Sequence, residues 1–454
     1  MHRTSSQPNS PAVPDDSAGD TPIVRIESLS HEGRGVARVL GKTVFIEGAL
    51  TGELVRLRYR RRRKTYDTAE ALEILEPSPD RVAPRCRYFG VCGGCSLQHL
   101  RPEAQLPAKQ QMLRDNLERI GKVSPADWLP PLTGPVWGYR RRARLGVYCA
   151  PQKGGVLVGV RERHRSLTVP LASCEVLDPA AAVLLPALRD VIAALSRPDR
   201  IPQVEVAVGE AALAVVFRHL TPLTPVDQAR LREFGRAHGV QVYLQSGDSG
   251  TVQALGPDPA APLGYRLPQQ GLKFQFSPSD FIQVNAEVNR RMVEQALALL
   301  DPQPHEKILD LFCGLGNFSL PLARRAARVL GLELEPGLVE RARANAERNA
   351  IAHAEFRCAD LYRPHRHAPW GEERFDQWLL DPPRTGALEM VKRLPPAERG
   401  PRRVLYVSCH PGTLARDSAV LVHVKGYRLA CAGVLDMFPQ TSHVEAMALF
   451  EKPV

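Results

Sequence analysis

The chain has 454 residues, a net charge of +11 and an isoelectric point near 9.4. This length exceeds one ordinary hydrophobic core, so two or three domains are expected, and the basic balance suits a polyanionic partner. The sequence contains no apolar run long enough to span a membrane, and residues 1–21, rich in Ser, Pro and Asp, are expected to be disordered and to lack a signal peptide.

Residues 22–77 alternate apolar and polar positions in short segments separated by glycines. Period-two segments of this length predict a small β-barrel of the OB type. One predicted strand continues into the basic run Arg56–Lys64, which contains Tyr59. We expect this run to contact a phosphate backbone, and a solvated surface is the alternative.

Nine cysteines are present, an odd number that favours metal ligation or catalysis over disulfides. Cys86, Cys92 and Cys95 form a cluster after a proline-rich linker, and either Cys174 or Cys149 can supply a fourth thiolate. Four thiolates suit zinc or an iron–sulfur cluster. The five-residue gap in the cluster favours the iron–sulfur group but does not decide between them.

In the next part of the chain, the spacing of apolar residues predicts a helix over 102–122 and then a strand-rich region over 137–267. Trp137–Arg144 mixes aromatic rings with guanidinium groups, which are suited to stacking on unpaired bases and holding phosphates. This segment is a second candidate RNA surface, and a solvated strand edge is its alternative.

From residue 301 onward, apolar strands alternate with amphipathic helices, which predicts a doubly wound α/β sheet. The strand Ile308–Phe312 leads into a turn whose glycines let the backbone approach a ligand closely. Glu333 ends the next strand, where its carboxylate can accept from both ribose hydroxyls. A nicotinamide cofactor is possible, but Ser319 replaces the third glycine of the dinucleotide fingerprint, which favours S-adenosylmethionine.

Two further acids follow later strands of this sheet. Asp360 closes the third strand and is placed for an adenine amino group, with a helix N-cap as the alternative. Asp381 ends the fourth strand and is followed by two prolines that fix an extended backbone. It can contact the methionine moiety or the substrate base, and a turn residue is the alternative.

Cys409 follows the buried strand Val404–Ser408 at the same edge of the sheet. A cysteine at a strand end is usually a packed core thiol. Carbon 5 of uracil, however, becomes nucleophilic only after a thiolate adds to carbon 6, and the C5 proton must later be removed. Glu445, preceded by His443 and set among apolar residues, is the best candidate for that base, and a solvated strand carboxylate is the alternative.

Five motifs in this order resemble the RNA uracil-5 methyltransferase family: Phe281–Asn285, Asp310–Phe318, Asp381–Arg384, Ser408–Cys409 and Asp436–Glu445. The resemblance implies Cys409 as nucleophile, Glu445 as proton acceptor and S-adenosylmethionine as cofactor. It further implies cofactor binding by one set of residues: Gln283, Phe312, Asn317, Glu333, Asp360 and Asp381. It also implies a [4Fe-4S] cluster held by four cysteines: Cys86, Cys92, Cys95 and Cys174.

The predicted architecture is an α/β protein with a Rossmann-like class I methyltransferase domain over 281–454. A β-rich central domain with the iron–sulfur site precedes it over 78–280, after an N-terminal OB-type barrel resembling the TRAM fold over 22–77. By resemblance, the substrate is 23S ribosomal RNA with the target uridine flipped out. We expect a cytoplasmic monomer.

Two positions depart from the family pattern: His410 stands where Asn is usual, and Gln440 where His is common. These departures leave the positioning of the substrate open. A tRNA uridine-5 methyltransferase is the alternative within the same class. Outside it, a non-catalytic ribosome-assembly protein that binds RNA is disfavoured by the intact Cys409 and Glu445 pair. An iron–sulfur redox enzyme would not depend on S-adenosylmethionine.

Overall fold

The computed structural model describes residues 21–150, 155–256, 261–363 and 373–453. The described chain forms two compact units, the first ending at Arg81 and the second beginning at Val82. The segment predicted as disordered, 1–21, lies outside the described residues except for Thr21. Among the helices in these ranges, none is long and apolar enough to cross a membrane.

The first unit is a six-stranded sheet in the order β1-β5-β6-β4-β3-β2. Its strands are β1 (Ile23–Arg25), β2 (Ser28–Leu29), β3 (Gly35–Val39), β4 (Lys42–Glu47), β5 (Leu54–Arg62) and β6 (Tyr66–Glu76). In β5 the apolar Val55 and Leu57 are buried while Arg58 faces solvent, as a period of two requires. The predicted small N-terminal β fold is confirmed, while its bounds, 22–77, stay a prediction.

The second unit begins with the cysteine-containing segment, which leads into helix α1 (Pro102–Asn116) and strand β7 (Asp127–Trp128). A seven-stranded sheet follows, in the order β10-β9-β8-β11-β12-β13-β14. Its strands are β8 (Arg142–Ala150), β9 (Gly155–Arg161), β10 (Thr168–Pro170), β11 (Gln203–Val208), β12 (Leu213–Arg218), β13 (Gln241–Gln245) and β14 (Val252–Ala254). Its helices are α2 (Pro179–Ala182), α3 (Leu185–Ala193) and α4 (Pro225–His238).

A short hairpin, β15 (Gly264–Leu267) and β16 (Leu272–Gln275), leads into the third sheet. Seven strands of that sheet follow the hairpin: β17 (Lys307–Leu311), β18 (Arg328–Glu333), β19 (Ala354–Cys358), β20 (Gln377–Leu380), β21 (Arg403–Ser408), β22 (Arg428–Leu435) and β23 (Glu445–Glu451). Its helices are α5 (Ala286–Leu300), α6 (Ser319–Ala323), α7 (Pro336–Arg348), α8 (Leu388–Arg393) and α9 (Pro411–Ala419).

The third sheet has the order β19-β18-β17-β20-β21-β23-β22-β7. Strands β17 to β21 are parallel and β23 is antiparallel, so the carboxyl ends of five strands share one edge. This confirms the predicted Rossmann-like sheet. Strand β7, from the region predicted as a separate central domain, pairs with β22. Residues 82–454 form one compact unit, so the boundary at 280/281 stays a prediction.

Candidate active site

The carboxyl ends of the parallel strands open into a cavity of about 480 Å³. The strand order reverses between β17 and β20, and ligands of open α/β sheets bind at such a point. The lining includes one residue before α5 and others next to the ends of β17, β18, β20 and β21 or the start of β23: Gln283, Phe312, Gly314, Asn317, Glu333, Asp381, Arg384, Cys409, His443 and Glu445. The cavity therefore brings together the predicted catalytic pair and five of the six predicted cofactor residues.

The turn after β17 shapes one wall of the cavity. Phe312 has a φ of 65°, and Gly314 and Gly316 have φ values of 55° and 92°. A positive φ costs the two glycines little conformational energy. The same conformation at Phe312 is strained and must be stabilised by the surrounding structure. The backbone N–H of Gly314 donates to Glu333 Oε2 at 3.2 Å, which ties the turn to the end of β18. The Glu333 carboxylate is thereby fixed at the edge of the cavity.

Neighbouring side chains hold Asn317 in place. Its Oδ1 accepts from the Tyr265 hydroxyl at 2.8 Å and from Asn289 Nδ2 at 3.1 Å. Its Nδ2 donates to Asn289 Oδ1 at 2.9 Å. This exchange fixes the amide orientation, since the Tyr265 hydroxyl and the Asn289 amide together match its donors and acceptors.

Asp360 differs from the other predicted cofactor residues. It is exposed, and its Oδ1 accepts from the backbone N–H of Tyr362 at 2.9 Å and of Arg363 at 3.2 Å. Ala359 and Leu361, on either side of it, belong to the described lining of the cavity. Asp360 therefore stabilises the turn after β19, and its contact with an adenine stays a prediction.

Acidic groups and a thiol share the cavity. Burial and the nearby Glu333 raise the pKa of Asp381 to about 7. Burial, followed by Asp381, raises the pKa of Glu445 well above its usual value. Burial, Glu445 and Asp381 raise the pKa of Cys409 to about 12. Such an arrangement favours a cationic ligand, because a positive charge stabilises each ionised form.

Arg384 supplies positive charge at the same place, and it lowers the pKa of both Cys409 and Glu445 against the other effects. Its Nη2 lies 2.9 Å from His443 Nε2. Burial, then Arg384, Arg140 and Lys109, lowers the pKa of His443 to about 4. A guanidinium can only donate, so a ring nitrogen of His443 accepts from it, and the imidazole is neutral.

The two departures from the family pattern have local structural roles. His410 precedes α9, where its Nδ1 accepts from the backbone N–H of Thr413 at 3.2 Å, a capping interaction that Asn can also make. Gln440 is buried with a φ of 67°, and its carbonyl accepts from the backbone N–H groups of Ser96 and Leu97, each at 3.0 Å. His410 is thus a helix cap, and Gln440 joins the connection between β22 and β23 to the cysteine-containing segment that precedes α1.

The four predicted metal-binding cysteines lie together. Each pair among Cys86, Cys92, Cys95 and Cys174 interacts electrostatically, and burial with the neighbouring thiols raises the pKa of Cys95 to about 12. Cys149 lies elsewhere, on β8, where burial and Asp199 raise its pKa. The arrangement thus favours Cys174 as the fourth member. In the described ranges, no three or more Cys, His, Asp or Glu residues converge as a single metal ion requires.

The interpretation of Trp137–Arg144 as an RNA surface is wrong for Tyr139 and Arg141. Tyr139 is buried and its hydroxyl donates to the Pro439 carbonyl at 2.9 Å. Arg141 is also buried, with its guanidinium 5.5 Å from the centre of the Tyr265 ring. Because these side chains are in the interior, they cannot reach a phosphate backbone.

Glu205 pairs with two other arginines of this segment, Arg142 and Arg144. Arg142 Nη2 lies 2.9 Å and Arg144 Nε 3.0 Å from the Glu205 carboxylate. In the barrel, Glu70 similarly pairs with Arg58 and Arg60, which neutralises part of the predicted basic run. The run remains exposed at its end, over residues 61–64.

Sequence reasoning missed several residues of the cavity. Tyr265 and Phe438 line it. Tyr265 precedes the first motif, and Phe438 lies inside the last one, Asp436–Glu445, but was given no role there. Asp310, outside the described lining of the cavity, was noted only as part of the β17 motif, yet it is fully buried, and burial, Asp381 and Glu333 raise its pKa to about 8. An acid within an otherwise apolar buried strand was the signal for it.

Comparison with known proteins places the chain among enzymes. The family model "tRNA (Uracil-5-)-methyltransferase" matches residues 264–360 and 369–453. The TRAM domain model of tRNA (uracil(54)-C(5))-methyltransferase matches residues 23–79. A crystal structure of the tRNA (uracil-54, C5)-methyltransferase of Pyrococcus abyssi in complex with S-adenosyl-L-homocysteine shares the fold. Its TM-score is 0.70 at 24% identity, covering 94% of this chain and 100% of that one.

Full-length relatives are closer in sequence. The 23S rRNA (uracil(1939)-C(5))-methyltransferase of Thiobacillus denitrificans is 54% identical over 433 residues, which are 95% of this chain and 100% of the relative. The enzyme of the same name from Nitrosococcus oceani is 53% identical, covering 94% of this chain and 95% of the relative. The chain therefore belongs to the family of S-adenosylmethionine-dependent RNA uracil-C5 methyltransferases.

Proposed function

We propose that this protein transfers a methyl group from S-adenosylmethionine to carbon 5 of a uridine in 23S ribosomal RNA. The proposed position is the one equivalent to uracil 1939 in the names of its relatives. The observation that carries the proposal is that Cys409 and Glu445 share one cavity with carboxylates at the switch point of the sheet. Relatives more than half identical, named for 23S ribosomal RNA, favour this substrate over tRNA.

S-adenosylmethionine supplies an electrophilic methyl group on a positively charged sulfur. The residues proposed to hold it are Gln283, Phe312, Asn317, Glu333, Asp360 and Asp381. The acids of the cavity suit that charge, since a cation beside Asp381 stabilises the carboxylate and lowers its raised pKa. Glu333, fixed by Gly314 at the end of β18, is placed to accept from ribose hydroxyls.

In the proposed reaction the Cys409 thiolate adds to carbon 6 of the uracil, and the electron pair of the C5–C6 double bond moves to form an enolate. Carbon 5 then attacks the methyl group, so that the new C–C bond forms as the C–S bond to the sulfonium breaks, and S-adenosylhomocysteine leaves with that electron pair on its neutral sulfur. Glu445 accepts the proton from carbon 5. The electron pair of that C–H bond restores the C5–C6 double bond as the C6–S bond breaks, and the Cys409 thiolate leaves.

The charges around Cys409 and Glu445 support these roles. A base must be ionised when it takes the C5 proton, and Arg384 favours that state in both groups. His443 is neutral and accepts from Arg384, which holds the guanidinium beside the cavity. Arg384 is therefore a positioning and charge-balancing residue in this proposal.

Methylation mapping tests the substrate. We expect a strain that lacks this protein to lose 5-methyluridine at one position of 23S ribosomal RNA and to keep the modification in tRNA. Purified protein with S-adenosylmethionine should restore it in a 23S fragment. Loss of 5-methyluridine from tRNA alone would contradict the proposal. So would the absence of product from a folded, cofactor-binding preparation.

We further propose that Cys86, Cys92, Cys95 and Cys174 hold a [4Fe-4S] cluster. Four mutually interacting thiols fit such a group. A cluster holds its cysteines farther apart than a single zinc ion does, because all four sulfur atoms around zinc lie at a Zn–S distance of about 2.3 Å. Its contribution would be structural, because the methyl transfer requires no electron. Anaerobically purified protein should contain about four iron and four sulfide per chain, and one zinc without iron would contradict the cluster.

Two further expectations follow from this substrate. Ribosomal RNA is a cytoplasmic substrate, so we place the protein in that compartment and propose that it acts as a monomer. Light scattering of the purified protein measures its mass, and a dimer would contradict the second statement. The exposed end of the basic run, residues 61–64, is the proposed RNA contact of the barrel.

A further inference from the structure

The connection between β22 and β23 carries His443 and ends at Glu445, and we call residues 436–445 the catalytic loop. Three consecutive carbonyls of this loop accept hydrogen bonds from outside it. Lys109 Nζ donates to the Phe438 carbonyl at 3.0 Å and the Tyr139 hydroxyl to the Pro439 carbonyl at 2.9 Å. Gln440 is the third, and it contacts the cysteine segment.

The cysteine segment makes the densest of these contacts. The backbone N–H groups of Ser96 and Leu97, directly after Cys95, both donate to the Gln440 carbonyl. Ser96 Oγ accepts from the backbone N–H of Ser442 at 2.7 Å. Two positions of the catalytic loop are therefore fixed by the residue adjacent to a proposed cluster ligand.

Gln105 of α1 completes the connection. Its Oε1 accepts from the Gln440 N–H at 2.9 Å, and its Nε2 lies 3.1 Å from Gln440 Oε1 and 3.1 Å from the Leu97 carbonyl. One amide thus bonds both the cysteine segment and the catalytic loop. Gln105 and Gln440 are buried, so water does not replace these bonds without cost.

One turn further along α1, Lys109 Nζ donates to Asp436 Oδ1 at 2.8 Å, at the start of the catalytic loop. Both side chains are buried. The loop is therefore held at both ends by the 95–109 segment, through Asp436 on one side and Ser442 on the other. Cys409 reaches the cavity by a different route, from the end of β21.

We propose that segment 95–109 is a strut that positions the catalytic loop. A group bound by the four cysteines would then act on Glu445 through Ser96, Gln105 and Gln440. The inference rests on the proposed role of Glu445 as the base that removes the C5 proton. Gln105 and Ser96 are positioning residues, because they touch neither the uracil nor the cofactor site. Loosening the strut should therefore slow adduct breakdown more than adduct formation.

The first test separates these steps with a 23S fragment and rapid quenching. Gln105→Leu should form the covalent Cys409 adduct at nearly the wild-type rate but resolve it about tenfold to a hundredfold more slowly, so that adduct accumulates. Asp227→Ala is the control, since Asp227 is buried and bonded to Ser196 in the same compact unit but lies on α4. It should leave the ratio of the two steps unchanged.

If Gln105→Leu does not fold, Ser96→Ala removes only the acceptor for Ser442 and leaves all cysteines in place. Equal slowing of both steps, or no change in their ratio, in the folded variant would overturn the strut. The proposed function fails separately, if the wild-type protein forms no adduct and no 5-methyluridine.

The second test measures hydrogen exchange and does not depend on turnover. Iron-containing protein is compared with Cys95→Ser by mass spectrometry of peptides. Exchange in residues 436–445 should be about tenfold faster in the variant, while residues 307–333 of the cofactor site exchange as in the wild type. Unchanged exchange in the catalytic loop, or the same increase in both regions, would contradict the inference.

Discussion

The cavity of the α/β sheet and the arginine-rich segment 137–144 both contain several charged side chains, but the two regions arrange them differently. In the cavity, Asp381 and Glu445 lie near one another and near Cys409, and each raises the pKa of a neighbour. In the segment, Arg142 and Arg144 share the Glu205 carboxylate. One region collects like charges and the other pairs opposite ones.

The difference separates a binding site from a structural network. Acidic groups that a fold holds close together are stabilised by a ligand of opposite charge. They also raise the pKa of one another, and shifted pKa values of this kind are typical of catalytic sites. Paired charges need no ligand, and removing one partner leaves the other buried and uncompensated. Charge removal should therefore have opposite effects on stability in the two regions.

The largest expected effect lies in the cavity. Cys409→Ala should lower the rate of methyl transfer by about 10⁴-fold or more, because no other group can add to carbon 6. Methylation of a 23S fragment measures this. Cys431→Ala is the matched control: its buried thiol packs in the core, so activity should be retained. Near-wild-type methylation by Cys409→Ala would contradict the account of this region.

In the arginine-rich segment, Glu205→Gln should lower the free energy of unfolding by about 2–3 kcal/mol, because two guanidinium groups lose their carboxylate. Urea unfolding measures the change. Arg144→Met removes only an exposed partner and should cost about 0.5 kcal/mol or less. If Glu205→Gln is as stable as the wild type, the segment is not the paired network described above.

The sign should reverse for Asp310, a buried acid that interacts electrostatically with Asp381 and Glu333 of the cavity. The pKa of Asp310 is raised in the folded state from 3.8 to about 8. Its neutral form therefore contributes to the free energy of unfolding at low pH, and this contribution is lost as pH rises through about 8. Asp310→Asn should therefore stabilise the cofactor-free protein at pH 8 by on the order of 2 kcal/mol, and less at pH 5. Thermal unfolding at both pH values checks this.

Asp376→Asn provides the control for that measurement. Asp376 is exposed and accepts from the backbone N–H of Lys307, at the opposite end of the same strand, β17. It should give no gain at pH 8. Destabilisation by Asp310→Asn at pH 8 would remove the contrast between the two regions.

A smaller effect concerns the thiol itself. Glu445 raises and Arg384 lowers the pKa of Cys409. Glu445→Gln should therefore lower this pKa and speed alkylation at pH 8 about tenfold, while Arg384→Met should slow it. Mass spectrometry of the Cys409 peptide measures the rate, with the exposed thiol of Cys358 as an internal reference. The same rate in both variants would show that these charges do not act on the thiol.

Much of the site could be predicted from the sequence, because the chemistry of the reaction restricts which residue types can act in it. The glycines after β17 and a cysteine at the end of β21 occupy one edge in any parallel sheet of this order. Paired charges were harder to foresee. Glu205 lies far along the chain from Arg142 and Arg144, and only the pairing of β11 with β8 brings it to them.

The connection between the cysteine segment and the catalytic loop was also beyond prediction. Gln105 and Gln440 are 335 positions apart, and neither belongs to a pattern that indicates contact. Strand β7 joins the third sheet by a pairing of two residues, which is too short to leave a periodic signal. Local patterns therefore predicted the elements, while contacts between distant segments required the structure.

The most direct measurement of the central claim uses Glu445→Gln with a 23S fragment and S-adenosylmethionine. The account predicts that this variant accumulates an adduct that survives denaturation, in which Cys409 is bound to carbon 6 and carbon 5 carries both the methyl group and its proton. The wild-type protein should release the methylated RNA instead. Release of 5-methyluridine by Glu445→Gln at the wild-type rate, with no adduct, would contradict the roles of both residues.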